Sequence, residues 1–135
     1  MIHVKRVEHV GLAVNSCSDA AAFYKLLGIE TGSTEELPES GLKVAMLPIG
    51  EGQIEMLEPT GPEGTVARFL EKRGEGIHHL ALCVEDIGEA VNELMAAGVR
   101  MIDKAPRPGA NGKTVAFVHP EATHGVLIEL VQDAP

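Results

Sequence analysis

The chain has 135 residues, 44% of them hydrophobic, enough for one packed domain or two very small ones. A formal net charge of −9 argues against a nucleic-acid or anionic-membrane partner, since both need a positive surface. With no Trp, one Tyr and three Phe, the core must be built from Val, Leu, Ile, Ala and Met.

Cys17 and Cys83 form neither a CxxC pair nor an obvious metal spacing, and two isolated thiols suit a reducing compartment. The opening "MIHVKRVEHV" has no apolar signal region, and no apolar run approaches membrane-spanning length. A soluble cytoplasmic protein is the expectation.

Alternation rich in Val predicts a strand near residues 4–14. "SDAAAFYKLLG" follows as a helix, with Ser18 expected at the N-cap and Gly28 as the stop. Extended segments are expected near 29–36, 42–49 and 52–58, separated by the turn material "PESG" and "IGEG". "TVARFLEKRG" reads as a short helix with Val66, Phe69 and Leu70 on one face. "GIHHLALCV" is the next strand. "DIGEAVNELMAAG" is a helix that opens with Asp86 and Glu89 at capping-box spacing and closes at Gly98. Strands near 99–103, 113–118 and 125–131 complete the chain, with "KAPRPGANGK" as an irregular loop.

The order is β-α-β-β-β, a linking helix, then β-α-β-β-β again, so the chain reads as one domain. It consists of a module over 1–60, a linking helix over 61–74 and a module over 75–135. The repeat is visible in the residues themselves. "HVGLAV" from His9 matches "HLALCV" from His79 at an offset of 70 (79 − 9). "IEML" around Glu55 matches "IELV" around Glu129 at an offset of 74 (129 − 55), which asks for a few extra loop residues in the second half.

Strand side chains alternate between faces. His9 therefore shares a face with Gly11 and Ala13, and His79 shares one with Ala81 and Cys83, small neighbours that leave room for something else. Glu55 and Glu129 each stand in the middle of an aliphatic strand, where a carboxylate is costly unless paired, hydrogen-bonded or metal-bound. Taken singly, a strand His is more often a hydrogen-bonded core or edge residue, and a strand Glu is more often solvent-facing. The repeated pair of pairs favours a metal site of His9, Glu55, His79 and Glu129. Two imidazoles and two carboxylates suit Co²⁺, Mn²⁺, Ni²⁺, Fe²⁺ or Zn²⁺, and on a six-coordinate ion they leave two adjacent positions for a bidentate substrate. His78 is expected to point the other way, and His3, His119 and His124 have no partner in the repeat.

These residues resemble the vicinal oxygen chelate superfamily, and within it the methylmalonyl-CoA epimerase family. The resemblance covers nearly the whole chain and is carried by "VEHVGLAV", "GEGIHHLA", "PRPGANGK" and "HPEATHGVLIEL". It implies an α+β fold of tandem βαβββ modules forming a curved, cup-like mixed sheet. It implies a metal held by His9, Glu55, His79 and Glu129, with Co²⁺ first among the candidate ions and Gln a permitted variant at Glu55. It implies a small acyl-CoA substrate and a homodimer. The implied reaction is interconversion of (R)- and (S)-methylmalonyl-CoA by removal of the C2 proton. Glu129 is the first candidate for one base. Some bacterial members carry a Glu as the other acid/base group where this chain has Val44, so the second group is open among Glu55, a metal-bound water, His119, Lys43 and Glu39. Lys104, Arg107 and Lys113 in the basic loop are the expected contacts for coenzyme A. The alternatives are a glyoxalase-I-like lyase acting on a glutathione hemithioacetal and a non-catalytic small-molecule-binding protein of the same fold.

Overall fold

The computed structural model describes residues 1–135. The N-terminal alternation becomes β1 (Val4–Ala13), followed by α1 (Cys17–Leu26), β2 (Ser33–Leu37), β3 (Leu42–Ile49) and β4 (Gly52–Pro59). After the linking helix α2 (Thr65–Arg73) the order recurs as β5 (Gly76–Val84), α3 (Ile87–Ala96), β6 (Arg107–Pro108), β7 (Thr114–Val118) and β8 (Ile128–Gln132).

Two compact units result: His9–His78, and Met1–Glu8 together with His79–Pro135. The first eight residues join the second half because they bond to it. The His3 carbonyl accepts from the Glu85 backbone N–H at 3.1 Å, and Arg6 meets Asp133 at 2.8 Å.

In the unit His9–His78 the strands run in the order β2-β3-β4-β1. β1 and β4 are parallel, whereas β3 is antiparallel to both of its neighbours, β2 and β4. The other unit repeats the plan as β6-β7-β8-β5, with β5 and β8 parallel.

In each unit one face of the strands packs on a helix. Val14, Cys17, Ala45, Leu47 and Met56 form the first core, closed by Ala20, Ala21 and Tyr24 of α1. Val84, Ile87, Ala90, Val91, Ala116, Val118 and Leu130 form the second. A Val or Leu buried to this degree contributes about 1.5–3 kcal/mol.

The duplication extends to the helix ends. The Ser16 hydroxyl accepts from the Asp19 N–H at 3.2 Å, and the Asp86 carboxylate accepts from the Glu89 N–H at 3.0 Å. A side chain from the last strand of each module adds a second bond. Glu58 accepts from the Cys17 N–H at 2.7 Å, and Gln132 accepts from the Ile87 N–H at 2.8 Å. Both helices close with the same pair of bonds, Ile29 N–H to the Tyr24 carbonyl and Val99 N–H to the Leu94 carbonyl. Gly28 and Gly98 take the left-handed turn at φ 82° and 83° that this closure requires.

Three details differ from the sequence expectation. The N-cap of α1 is Ser16, because its extended backbone lets the hydroxyl reach back to Asp19, while Ser18 lies inside the first turn. The strand expected near 99–103 is reduced to a single bridge between Met101 and Val118. Asp103 takes the Phe117 N–H with its carboxylate in place of a backbone ladder bond. Conversely, the loop expected to be irregular contributes β6, two residues paired with Val115 and Thr114.

Candidate metal centre and its surroundings

Parallel pairing places the histidine and carboxylate of each module on one face. In the β1–β4 ladder His9 stands opposite Gln53 and Gly11 opposite Glu55, so Glu55 lies diagonally one pleat from His9. In the β5–β8 ladder Ala81 stands opposite Glu129, which repeats the relation for His79. The small residues Gly11 and Ala81 thus flank the carboxylates, as the alternation predicted.

The side chains meet. His9 Nε2 lies 3.3 Å from Glu55 Oε1, and His79 Nε2 lies 2.9 Å from Glu129 Oε1. All four residues are buried: His9 and His79 are each 3% exposed, Glu55 7% and Glu129 6%. Four buried ionisable side chains in an aliphatic setting are costly unless their polar atoms are engaged. Each pair joins an imidazole to a carboxylate, donor types compatible with a divalent metal ion.

Apolar side chains complete these faces. Met46 stands opposite Glu55 and Val44 opposite Leu57, so Val44 shares the face of Glu55 and is 2% exposed. In the second module Phe117 stands opposite Glu129 and Val115 opposite Val131. Ala81, Val115 and Val131 form a small apolar cluster there. The ring of Phe117 meets His79 edge to face, with centroids 5.5 Å apart and planes at 82°.

The basic loop is divided in its contacts. Lys104 and Arg107 are exposed. Arg107 Nε donates to Asp103 Oδ1 at 3.0 Å, and its guanidinium lies over Phe117, 5.5 Å from the ring centroid. Lys113 turns inward: its Nζ is 3.1 Å from Glu8 Oε1 and 3.8 Å from Asp133 Oδ1, and its side chain is 18% exposed.

Three of the other histidines make local contacts. His78 packs edge to face on Phe69 of α2. His119 caps the short helical turn Pro120–Thr123 by accepting the Glu121 N–H, and His124 ends that turn in the left-handed region at φ 61°. Glu39 is exposed in the turn Pro38–Ser40. A cleft of about 560 Å³, lined by Leu12, Asn15, Phe23, Tyr24 and Ile77 among others, holds none of the candidate ligands.

Asp103, Phe117 and Glu8 are the neighbours of this centre that sequence reasoning missed. Glu8 carried the one available signal, a carboxylate in a Val-rich strand directly before His9. Nothing local marks Asp103 or Phe117.

Fold and donor set define the class, and the comparisons agree. A model of the Glyoxalase/Bleomycin resistance protein/Dioxygenase superfamily matches residues 8–117, and the chain belongs to that superfamily, with its α+β fold of tandem βαβββ modules. Its relatives are more particular. The ethylmalonyl-CoA/methylmalonyl-CoA epimerase of Cereibacter sphaeroides is 40% identical over 132 residues, covering 96% of this chain and 98% of that protein. The mitochondrial methylmalonyl-CoA epimerase of Bos taurus is 40% identical over 129 residues, covering 94% of this chain and 74% of that one. Among solved structures, a variant of the Streptomyces coelicolor methylmalonyl-CoA epimerase in complex with 2-nitronate-propionyl-CoA superposes with a TM-score of 0.94 at 35% identity. That match covers 98% of this chain and 96% of the other. No helix of this chain is long and apolar enough to cross a membrane.

Proposed function

We propose that the chain is a metal-dependent epimerase of methylmalonyl-CoA, exchanging the (R) and (S) forms by proton removal at C2. The observation that carries this reading is the pair His79–Glu129, buried at 2.9 Å and repeated as His9–Glu55. It occurs in a chain 40% identical to an epimerase of this substrate class over nearly the whole of both proteins.

His9, Glu55, His79 and Glu129 are the residues that would hold one divalent ion, with Co²⁺ the first candidate. Bound there, it would supply Lewis-acid stabilisation of the charge that develops as the C2 proton leaves. The His9 and His79 nitrogens have lone pairs for a metal when their rings are neutral. Glu129 has two oxygens, so one can bind while the other accepts the C2 proton. The buried apolar cluster of Ala81, Val115 and Val131 lies on the strands that carry this pair and would disfavour water beside it. Epimerisation also needs a group on the opposite face of the planar intermediate. Val44 offers no proton-transfer group, so Glu55, the equivalent of Glu129 in the repeat, is the preferred second group. Lys104 and Arg107 are the exposed cations that would meet the phosphates of coenzyme A, while Lys113, engaged by Glu8 and Asp133, would hold the end of the loop that presents them. The reading includes a homodimer in the cytoplasm, consistent with two buried, unpaired thiols.

The test is incubation with methylmalonyl-CoA in D₂O, with and without chelator. Metal-dependent deuterium entry at C2 with stereochemical scrambling is the expected result. Turnover of methylglyoxal and glutathione with no exchange into methylmalonyl-CoA would replace this reading with the lyase.

A further inference from the structure

Phe117 links the His79–Glu129 pair to the loop before β7. Its backbone stands opposite Glu129, and its ring meets the His79 ring edge to face. The guanidinium of Arg107 lies over the same ring. Asp103 then ties cation and strand together. Its Oδ1 accepts from Arg107 Nε at 3.0 Å, and its Oδ2 accepts from the Phe117 N–H at 2.8 Å. In return the Phe117 carbonyl accepts from the backbone N–H groups of Ile102 and Asp103 at 2.9 and 3.2 Å. The Asp103 side chain is 17% exposed, so these bonds are shielded on one side.

The first module carries a different side chain at the equivalent register position. Met46, unbranched and flexible, occupies the place opposite Glu55. The second module therefore sets a braced aromatic ring opposite its carboxylate and against its histidine, while the first sets a pliable side chain opposite its carboxylate.

We propose that Phe117 and Asp103 are positioning residues, which fix the His79 ring and the adjacent Glu129 carboxylate for metal loading and proton transfer. This rests on the assignment of His79 and Glu129 as a working pair. An imidazole rotates broadly about its last torsion, and a ligand must present one nitrogen along one direction. The Phe117 ring restricts that rotation, and the Arg107 cation restricts Phe117 from its other contact. Asp103 uses both oxygens, so an amide at that position keeps one acceptor and loses the other. Groups that orient metal ligands in this way typically account for about 10–100-fold in metal affinity.

The experiment uses the full chain with Co²⁺ as the probe. It compares Phe117→Leu, Phe117→Tyr and Asp103→Asn with the wild type by calorimetric titration, by the visible absorption of the bound ion and by melting temperature. Phe117→Leu and Asp103→Asn are expected to bind Co²⁺ about tenfold more weakly, with an altered absorption spectrum. Phe117→Tyr, which keeps the ring edge, is expected to restore both. Wild-type affinity and spectrum in Phe117→Leu, or a Tyr variant no better than Leu, would overturn the proposal. A series that behaves as expected in a protein inert toward methylmalonyl-CoA would uphold the positioning role and overturn the substrate reading instead.

Discussion

Lys113 and Glu8 form an ion pair at 3.1 Å, with the Glu8 carboxylate 2% exposed. Glu8 directly precedes His9 in β1, and Lys113 directly precedes β7, so the pair fixes the approach to a candidate ligand to the end of the basic loop.

Removing one partner of a buried pair leaves a desolvated charge, at a typical cost of about 3–5 kcal/mol. Lys113→Met is therefore expected to destabilise the protein by about 3 kcal/mol. Adding Glu8→Gln should recover much of the loss, because the stranded charge goes with its partner. Denaturant unfolding of the two single variants and the double variant measures this. A Lys113→Met protein as stable as the wild type would remove the pair from any structural account.

Asp133 lies between Arg6 at 2.8 Å and Lys5 and Lys113, each at 3.8 Å. The hydrogen bond from Arg6, more than any other influence, holds its pKa below the usual carboxylate value of 3.8. A depressed folded-state pKa adds stability above the unfolded value and loses it as pH falls through the folded value. Asp133→Asn should therefore melt lower than the wild type near pH 7, and the two curves should converge below pH 3.8. Its side chain is 39% exposed, so solvent screening keeps the difference to roughly 1 kcal/mol or less. Melting temperatures across the acid range decide it, and a constant gap down to the lowest pH would rule out the linkage.

The duplication was legible because both modules keep the same alternation, and alternation alone decides which face of a strand a side chain occupies. His9 with Gly11 and His79 with Ala81 could be read that way, and the carboxylates followed once Glu55 and Glu129 aligned. Where pairing depends on distant partners, the reading failed. "GVRMI" has the composition of a strand, yet the Asp103 side chain takes the Phe117 N–H and only the Met101 bridge forms. Ser18 and Ser16 are equally good caps by type, and only the backbone turn before α1 selects Ser16. Phe117 in a strand reads as ordinary core, since neither Arg107 nor His79 is near it in sequence.

Cys17 opens α1 beside Glu58, and its thiol pKa is pushed up to about 11, first by burial and then by the neighbouring carboxylate. Cys83, wholly buried, is shifted in the same direction chiefly by burial. At pH 8 only about one Cys17 in a thousand would be thiolate, the form that reacts. Both thiols should resist alkylation in the folded protein at pH 8 and react promptly once it is unfolded in guanidinium. Mass spectrometry of the modified chain gives the count, and rapid modification of either cysteine in the native state would contradict its burial.

Glu55 and Glu129 occupy equivalent places yet should respond differently to loss of charge. Glutamine keeps a carbonyl oxygen that can face a cation, but its amide cannot accept a proton from carbon. If Glu129 is both ligand and base, Glu129→Gln removes the base and leaves most of the site. Deuterium exchange from the epimer whose C2 proton Glu129 removes should fall by about 10²–10⁴-fold, the usual contribution of a positioned acid/base group, while one metal ion per chain is still bound. Glu55→Gln separates two roles within the same experiment. If Glu55 is only a ligand, exchange and epimerisation should both stay within about tenfold of the wild type. If it is the second base, exchange into one epimer should persist while inversion falls sharply, because only one face of the intermediate would still be served. Wild-type exchange from both epimers in Glu129→Gln would exclude Glu129 as a base, whatever Glu55→Gln does.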